Sequence, residues 1–291
     1  MEWTSCLKKS IEYAENHLLE DIHAEEVAKA VHISPFYFQK GFKVLTGITI
    51  TEYIRNRRLY LAALELLSGE KRIIDLSYKY GYDTPESFSK AFSRFHGVSP
   101  AQIKGDVSKI KLYLPLKISI SILGGNTMDC VIEKRKSFQV IGFSRHFEFD
   151  SAYENIPKFW DEFLENCKKN QYGEILQSVI EQSKIGEYGI SINTQTDESG
   201  FRYMIAGMNE VKDIPTEMEA YEIPEMEWAI FRCVGPLPGA LQTVNTEIYK
   251  EWLPGNNNYE IACGINIEWY SLGDCSSQNY KSEIWIPVKR K

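Results

Sequence analysis

The hexapeptide Ile265-Asn266-Ile267-Glu268-Trp269-Tyr270 holds a carboxylate inside an apolar run. In a strand, alternation puts Asn266, Glu268 and Tyr270 on one face and Ile265, Ile267 and Trp269 on the other. An ionised carboxylate among aromatics is costly to bury without a partner. A backbone amide or a surface lysine would meet that need. A cationic ligand stacked between rings would meet it too, with cation–π attraction adding about 0.5–2 kcal/mol. Rings are plentiful: Trp160, Trp228, Trp252, Trp269 and Trp285 all fall in the C-terminal part, with Tyr188 and Tyr270. Singly, each reads first as core. Together, in an acidic region, they point to a binding cleft. The expected ligand set is Glu268, Trp160, Trp228, Trp252, Trp285, Tyr188 and Tyr270, with Glu283 as the alternative carboxylate nearer a strand edge. The rival chemistry is hydrolysis, with Glu268 as general base and Tyr270 or Tyr188 as proton donor.

A second set of residues suits nucleic acid. In Ile73 to Pro100, apolar Ile73, Ile74 and Leu76 begin a short helix, and Gly81 supplies a chain reversal. Thr84-Pro85 then reads as a hydroxyl N-cap with proline at the first helical position. Phe88, Ala91, Phe92 and Phe95 recur at helical spacing. The other face carries Glu86, Ser87, Ser89, Lys90, Ser93 and Arg94, the layout of a helix-turn-helix reader.

The elements that must position these residues follow in chain order. Leu7, Ile11, Ala14 and Leu18 predict a helix, and Val27, Ala28 and Val31 a second. Ser34-Pro35 repeats the Thr84-Pro85 device roughly 50 residues earlier and opens a third helix. Thr49-x-x-Glu52 is a capping box opening a helix to Leu67 that has little purely polar face, so it is buried between two neighbours. Arg55, Arg57 and Arg58 near its start meet either phosphates or acidic neighbours such as Glu52 and Asp75.

The pattern Ser34, Phe42, Gly47, Tyr53, Arg58, Ala62, Gly81-Tyr82, Phe88, Phe92, Gly97, Ser99-Pro100 resembles the DNA-binding domain of AraC/XylS-family transcription regulators. Ser77 departs from it, standing where the family usually has a small apolar residue. The resemblance implies two helix-turn-helix units on one linker helix, reading successive major grooves of double-stranded promoter DNA, with RNA polymerase as a further partner. Phe36, Tyr37, Gln39 and Lys40 are expected in the first groove and Thr84, Glu86, Ser87 and Lys90 in the second. Gln39 would pair with adenine and Lys40 with guanine. Lys43, Arg55, Lys90 and Arg94 would add phosphate affinity. The DNA-binding domain comes first, a Rob-like order.

Composition bounds the rest. The 291 residues suffice for two domains. No apolar run reaches the roughly 18 residues of a membrane span, and the start shows no secretory pattern, so a cytoplasmic protein without membrane contact is expected. Six scattered cysteines without a CxxC motif read as reduced thiols, and neither they nor the five histidines suggest a metal or cofactor site. The net charge of −7 is uneven: residues 1–105 hold 14 Lys and Arg against 13 Asp and Glu, residues 106–291 hold 19 against 27.

Residues 106–127 read as a linker with one extended strand, Leu112 to Leu123, ending in Gly124-Gly125-Asn126. From Met128 the pattern becomes strands, helix, strands, twice, which predicts a duplicated α+β unit with a cleft at its pseudo-twofold axis. The segments Trp228-Ala229-Ile230-Phe231, Gly235-Pro236-Leu237, Glu251-Trp252-Leu253-Pro254, Ile267-Glu268-Trp269-Tyr270 and Glu283-Ile284-Trp285-Ile286-Pro287-Val288 resemble the gyrase-inhibitor-like (GyrI-like) ligand-binding domain. The resemblance implies an aromatic cleft for hydrophobic or cationic small molecules around a central carboxylate. The expected protein is thus multidomain: an all-α double helix-turn-helix domain (1–105), a linker (106–127) and an α+β duplicated GyrI-like domain (128–291). Its expected role is a non-enzymatic, effector-responsive, sequence-specific DNA-binding regulator, with a constitutive binder that docks a protein as a further rival.

Overall fold

The computed structural model describes residues 3–103, 106–118, 128–193 and 200–291. The chain divides into two compact units, residues 1–122 and 123–291.

The first unit is helical: α1 (Trp3–Asn16), α2 (Ala24–Ala30), α3 (Pro35–Thr46), α4 (Ile50–Leu67), α5 (Ile73–Lys79) and α6 (Pro85–His96). The same local chemistry starts and stops α3 and α6. Ser34 Oγ accepts the Tyr37 N–H at the head of α3, and Thr84 Oγ1 accepts the Ser87 N–H at 3.1 Å at the head of α6. Each helix ends on a glycine at φ 80°, Gly47 and Gly97, where a side chain would be strained. Thr49 Oγ1 caps α4 by accepting the Glu52 N–H at 3.1 Å. As its pattern requires, α4 buries residues on several faces, among them Tyr53, Leu59, Ala63 and Leu66. Its C-terminal half packs with Leu76, Tyr80, Phe88 and Phe92 in one core. Ser77, the sequence departure, is fully buried and donates to the Ile74 carbonyl at 2.7 Å, so its hydroxyl is satisfied inside its own helix.

Residues 111–118 form no strand. This corrects the expected strand over its described part; residues 119–123 lie outside the described residues. The segment is pinned to the helices instead. His96 Nδ1 accepts the Lys111 N–H, Arg57 donates to the Tyr113 carbonyl, and the Leu116 N–H reaches the Tyr53 hydroxyl. Side chains from α4 and α6 thus take up backbone groups that a ladder would have used.

The second unit comprises β1 (Cys130–Arg135), β2 (Phe138–Glu148), α7 (Phe149–Lys168), α8 (Gly173–Gln182), β3 (Tyr188–Ile192), β4 (Gly200–Met208), β5 (Glu219–Ile223), β6 (Met226–Val234), α9 (Gly239–Glu247), a π-helical turn Ile248–Trp252, β7 (Tyr259–Ile261), β8 (Ile265–Tyr270) and β9 (Lys281–Arg290). The expected strand Ile261–Tyr270 is broken into β7 and β8, with Gly264 packed against the Asn193 backbone too closely for a Cβ.

The antiparallel strands lie in the order β1-β6-β9-β8-β3-β4-β2-β5, with β7 on β9. Read from its centre, the order is near-palindromic: β8 and β3 meet in the middle, flanked by β9 and β4, then β6 and β2. The duplication expected from the sequence is therefore present in the topology. Two residues separate β1 from β2, and two separate β5 from β6. In each case three virtual bonds span at most about 11 Å. On a flat sheet those pairs would lie six strand spacings apart, roughly 29 Å. The sheet must therefore curl until its ends approach. Val140, Tyr188, Ile223, Trp228, Ile267 and Trp285 consequently share one core on the inner face. Helices α7 and α9 pack on the outer face, against β2 and β4 and against β6 and β9 respectively.

Candidate functional site

On the outer face, register places Phe143, Ile205, Gly189, Glu268, Ile284 and Phe231 in one row. Glu268 and Gly189 are partners across the central β8–β3 pair, so the carboxylate sits at the pseudo-twofold axis between the halves that carry α7 and α9. It is partly buried. Tyr270, two residues on and on the same face, donates to Glu268 Oε2 at 2.8 Å. Tyr203 on β4 donates to the same oxygen at 3.5 Å. Trp160 on α7 donates its indole N–H to the Tyr203 hydroxyl at 2.9 Å. Indole nitrogen is only a donor, so this bond turns the Tyr203 proton toward Glu268. The Trp160 and Tyr270 rings meet edge to face at 5.4 Å. Burial first, then the charge of Glu268, push the Tyr203 and Tyr270 phenols well above their ordinary range. Both remain neutral donors, as hydrogen bonding to a carboxylate demands. Desolvation and Glu268 likewise raise the Tyr153 phenol on α7.

Of the expected ligand set, the structure brings together Glu268, Tyr270 and Trp160. Tyr188, Trp228 and Trp285 are corrections. They lie on the inner face, buried to 9, 0 and 3% exposure, with Tyr188 and Trp228 each edge to face with Trp285 at 6.1 Å. The reason is the curl of the sheet, which turns that face into a core and gives large rings an interior to fill. Glu283, the alternative carboxylate, accepts the Trp285 indole N–H at 2.7 Å. Trp252 is on the outer face but packs on Phe231, two strands from Glu268. Tyr203, Tyr153 and Gly189 were not foreseen. A Cβ at Gly189 would come within 2.2 Å of the Tyr203 hydroxyl oxygen and 3.4 Å of Glu268 Oε2. Strand alternation marks Tyr203 as facing opposite Met204, but only the β3–β4–β8 order shows which side chains it meets.

In the helical unit, Thr84, Glu86, Ser87, Lys90 and Arg94 are all exposed along α6, and Arg55 is exposed on α4. The α3 set differs. Phe36, Tyr37 and Gln39 are buried at 2, 0 and 5% exposure, against the expectation that they face a groove, while Lys40 and Lys43 are partly exposed. The first half of α3 is apolar nearly all round, and a helix of that kind is buried on more than one face. Gln39 Nε2 has no hydrogen-bond partner there. Arg57 and Arg58 serve the fold: Arg57 pairs with Glu15 at 2.7 Å and Arg58 donates to the Leu18 carbonyl at 2.7 Å. Asp75 is taken by Arg72 at 2.8 Å.

Among the described residues no group of His, Cys, Asp and Glu could hold a metal ion, and no helix is long and apolar enough to cross a membrane.

Comparisons with known proteins follow the same division. Residues 131–288, more than half the chain, match the family model of the integron-associated effector-binding protein, and residues 27–105 match that of a helix-turn-helix domain. Over 104 residues the chain is 34% identical to the regulatory protein SoxS of Salmonella typhimurium, covering 36% of this chain and 97% of that one. It is 35% identical to the transposon Tn10 TetD protein of Escherichia coli over 98 residues, 34% of this chain and 71% of that one. An uncharacterized HTH-type transcriptional regulator, YbfP of Bacillus subtilis, is 25% identical over 188 residues, 65% of this chain and 56% of its own. A solved structure of SAV2435 bound to tetraphenylphosphonium aligns with 56% of this chain and 94% of its own, at 20% identity and a TM-score of 0.47. By its match over residues 131–288 and its helix-turn-helix match over residues 27–105, the chain belongs to the integron-associated, GyrI-like effector-binding family in its form fused to an AraC-type DNA-binding domain: a DNA-binding transcription regulator that binds a small effector.

Proposed function

We propose that the effector is a lipophilic organic cation held at Glu268. One observation carries the reading: two neutral phenols donate to the carboxylate and, among the described residues, no cation pairs with it, so its negative charge is hydrogen-bonded but not neutralised. Both donors meet Oε2, which leaves Oε1 for a ligand, and the rings of Trp160 and Tyr270 supply the faces for cation–π contact. Glu268→Gln keeps the shape and removes the charge. Tryptophan fluorescence titration with a cationic compound and a neutral one of the same size tests the reading. The cation should bind about tenfold more weakly to the variant and the neutral compound unchanged. Equal affinity for the cation before and after the change refutes it.

On the DNA side, the exposed face of α6 reads the major groove through Thr84, Glu86, Ser87 and Lys90, with Lys43, Arg55 and Arg94 on phosphates. On α3, Lys40 is the partly exposed candidate for the first groove, reaching a guanine edge. RNA polymerase is the further partner of such a regulator. The fusion to a DNA reader favours binding over hydrolysis at Glu268, and incubation of esters with the protein should yield no product above background.

A further inference from the structure

The second unit carries an outer-face groove of about 690 Å³, lined by Met128, Cys130, Ile132, Glu251, Trp252 and the 255–259 turn. None of Glu268, Tyr270, Tyr203 or Trp160 lines it. That volume is in the range of sites for drug-sized molecules. Its wall is mixed: Ile132 and Cys130 come from one face of the edge strand β1, where burial pushes the Cys130 thiol up to about 11 so that it is neutral at physiological pH, and Asn256, Asn257 and Asn258 line the turn. The Trp252 indole packs edge-on against Phe231 at 5.0 Å and stays partly exposed. Trp252 closes a π-helical turn, a distortion frequently found at functional sites. Asn256 does not serve as a ligand group, because its carboxamide oxygen accepts the Asn258 and Tyr259 N–H groups and its carbonyl accepts Lys291 Nζ. Glu251, exposed and next to Trp252 in sequence, is the one carboxylate in the lining.

An aromatic face, an apolar patch from β1 and a single carboxylate in an otherwise uncharged lining select a flat aromatic cation. We propose that this groove is a second small-molecule site, separate from the one at Glu268, which takes planar aromatic cations with the ring on Trp252 and the charge toward Glu251. Its existence does not depend on what Glu268 binds.

Ethidium, a planar aromatic cation, is the probe. Its stoichiometry on the full-length protein is measured by calorimetry for wild type, Glu251→Gln, Trp252→Phe, Glu268→Gln and the double variant Glu251→Gln/Glu268→Gln. Glu251 is exposed, so its substitution should not disturb folding, and Trp252→Phe keeps an aromatic contact with Phe231. The Glu268→Gln protein should retain one site per chain, and that site should weaken about tenfold when Glu251→Gln is added. Loss of all binding in Glu268→Gln overturns the proposal. So does residual binding indifferent to both Glu251→Gln and Trp252→Phe. Displacement of residual ethidium by an extended apolar hexapeptide, with no dependence on Glu251, would likewise overturn it in favour of strand addition to β1.

Discussion

At the scale of the residue, the second unit is decided by which face of a strand a side chain occupies. Glu268 and Trp269 are neighbours in sequence, yet one meets Tyr270 and Tyr203 beneath α7 and the other packs toward the inner core. Gly189 extends the argument. It lies opposite Glu268, and a methyl there would collide with the Tyr203 hydroxyl. Gly189→Ala should therefore cost about 1–3 kcal/mol by overpacking and weaken cation binding together with stability. Urea unfolding combined with the fluorescence titration checks both; an alanine tolerated without change in either would mean that Tyr203 is not held where the structure places it. The carboxylate and Tyr270 were legible in the sequence because strand alternation alone orders Asn266, Glu268 and Tyr270, whereas Trp160 on α7 was expected only as one ring among several. Tyr188, Trp228 and Trp285 lie on three different strands, so alternation within each strand shows neither that they share a face nor that the face is closed.

At the scale of the element, caps and patterns gave reliable boundaries. The Ser34-Pro35 and Thr84-Pro85 starts and the Gly47 and Gly97 stops appear where those residue types demand them. The structure adds α8, whose first residue is Gly173 at φ 75° and whose N-cap Tyr172 makes no side-chain cap, so no start signal announces it. Thr84→Ala removes the α6 cap and should cost about 1 kcal/mol, measured by thermal unfolding. His96, at the end of α6, titrates. It bridges two backbone groups, with its Nε2 at 3.2 Å from the Leu59 carbonyl and Nδ1 accepting the Lys111 N–H at 3.1 Å. Only the neutral ring with its proton on Nε2 makes both bonds. Burial lowers its pKa from the ordinary 6.5. The folded state thus prefers the neutral ring, so the stability it contributes is complete above about pH 6.5 and falls as the pH drops below it. Urea midpoints at pH 7.5 and 5.5 should differ more for wild type than for His96→Gln.

At the scale of the whole molecule, residues 111–118 belong with the helices by their hydrogen bonds, whereas the sequence reads them as linker. A fragment ending at residue 118 keeps the partners of His96, Arg57 and Tyr53, and one ending at 105 strips them. The longer fragment should melt at the higher temperature. Both should bind DNA with an affinity that falls steeply with salt, because neutralised phosphates release counterions. A salt-insensitive fragment would contradict phosphate contacts by Lys90 and Arg94.

The position of β9 in the strand order has its own consequence. It is the last strand made, yet it lies between β6 and β8. Without it, β1 and β6 lose their connection to β8, β3 and the axis that carries Glu268. A nonsense mutation between codons 123 and 281 therefore abolishes the effector-binding sheet while leaving every residue of the DNA reader encoded. Late truncations should appear in a genetic screen as alleles that still occupy the promoter but are deaf to the inducer.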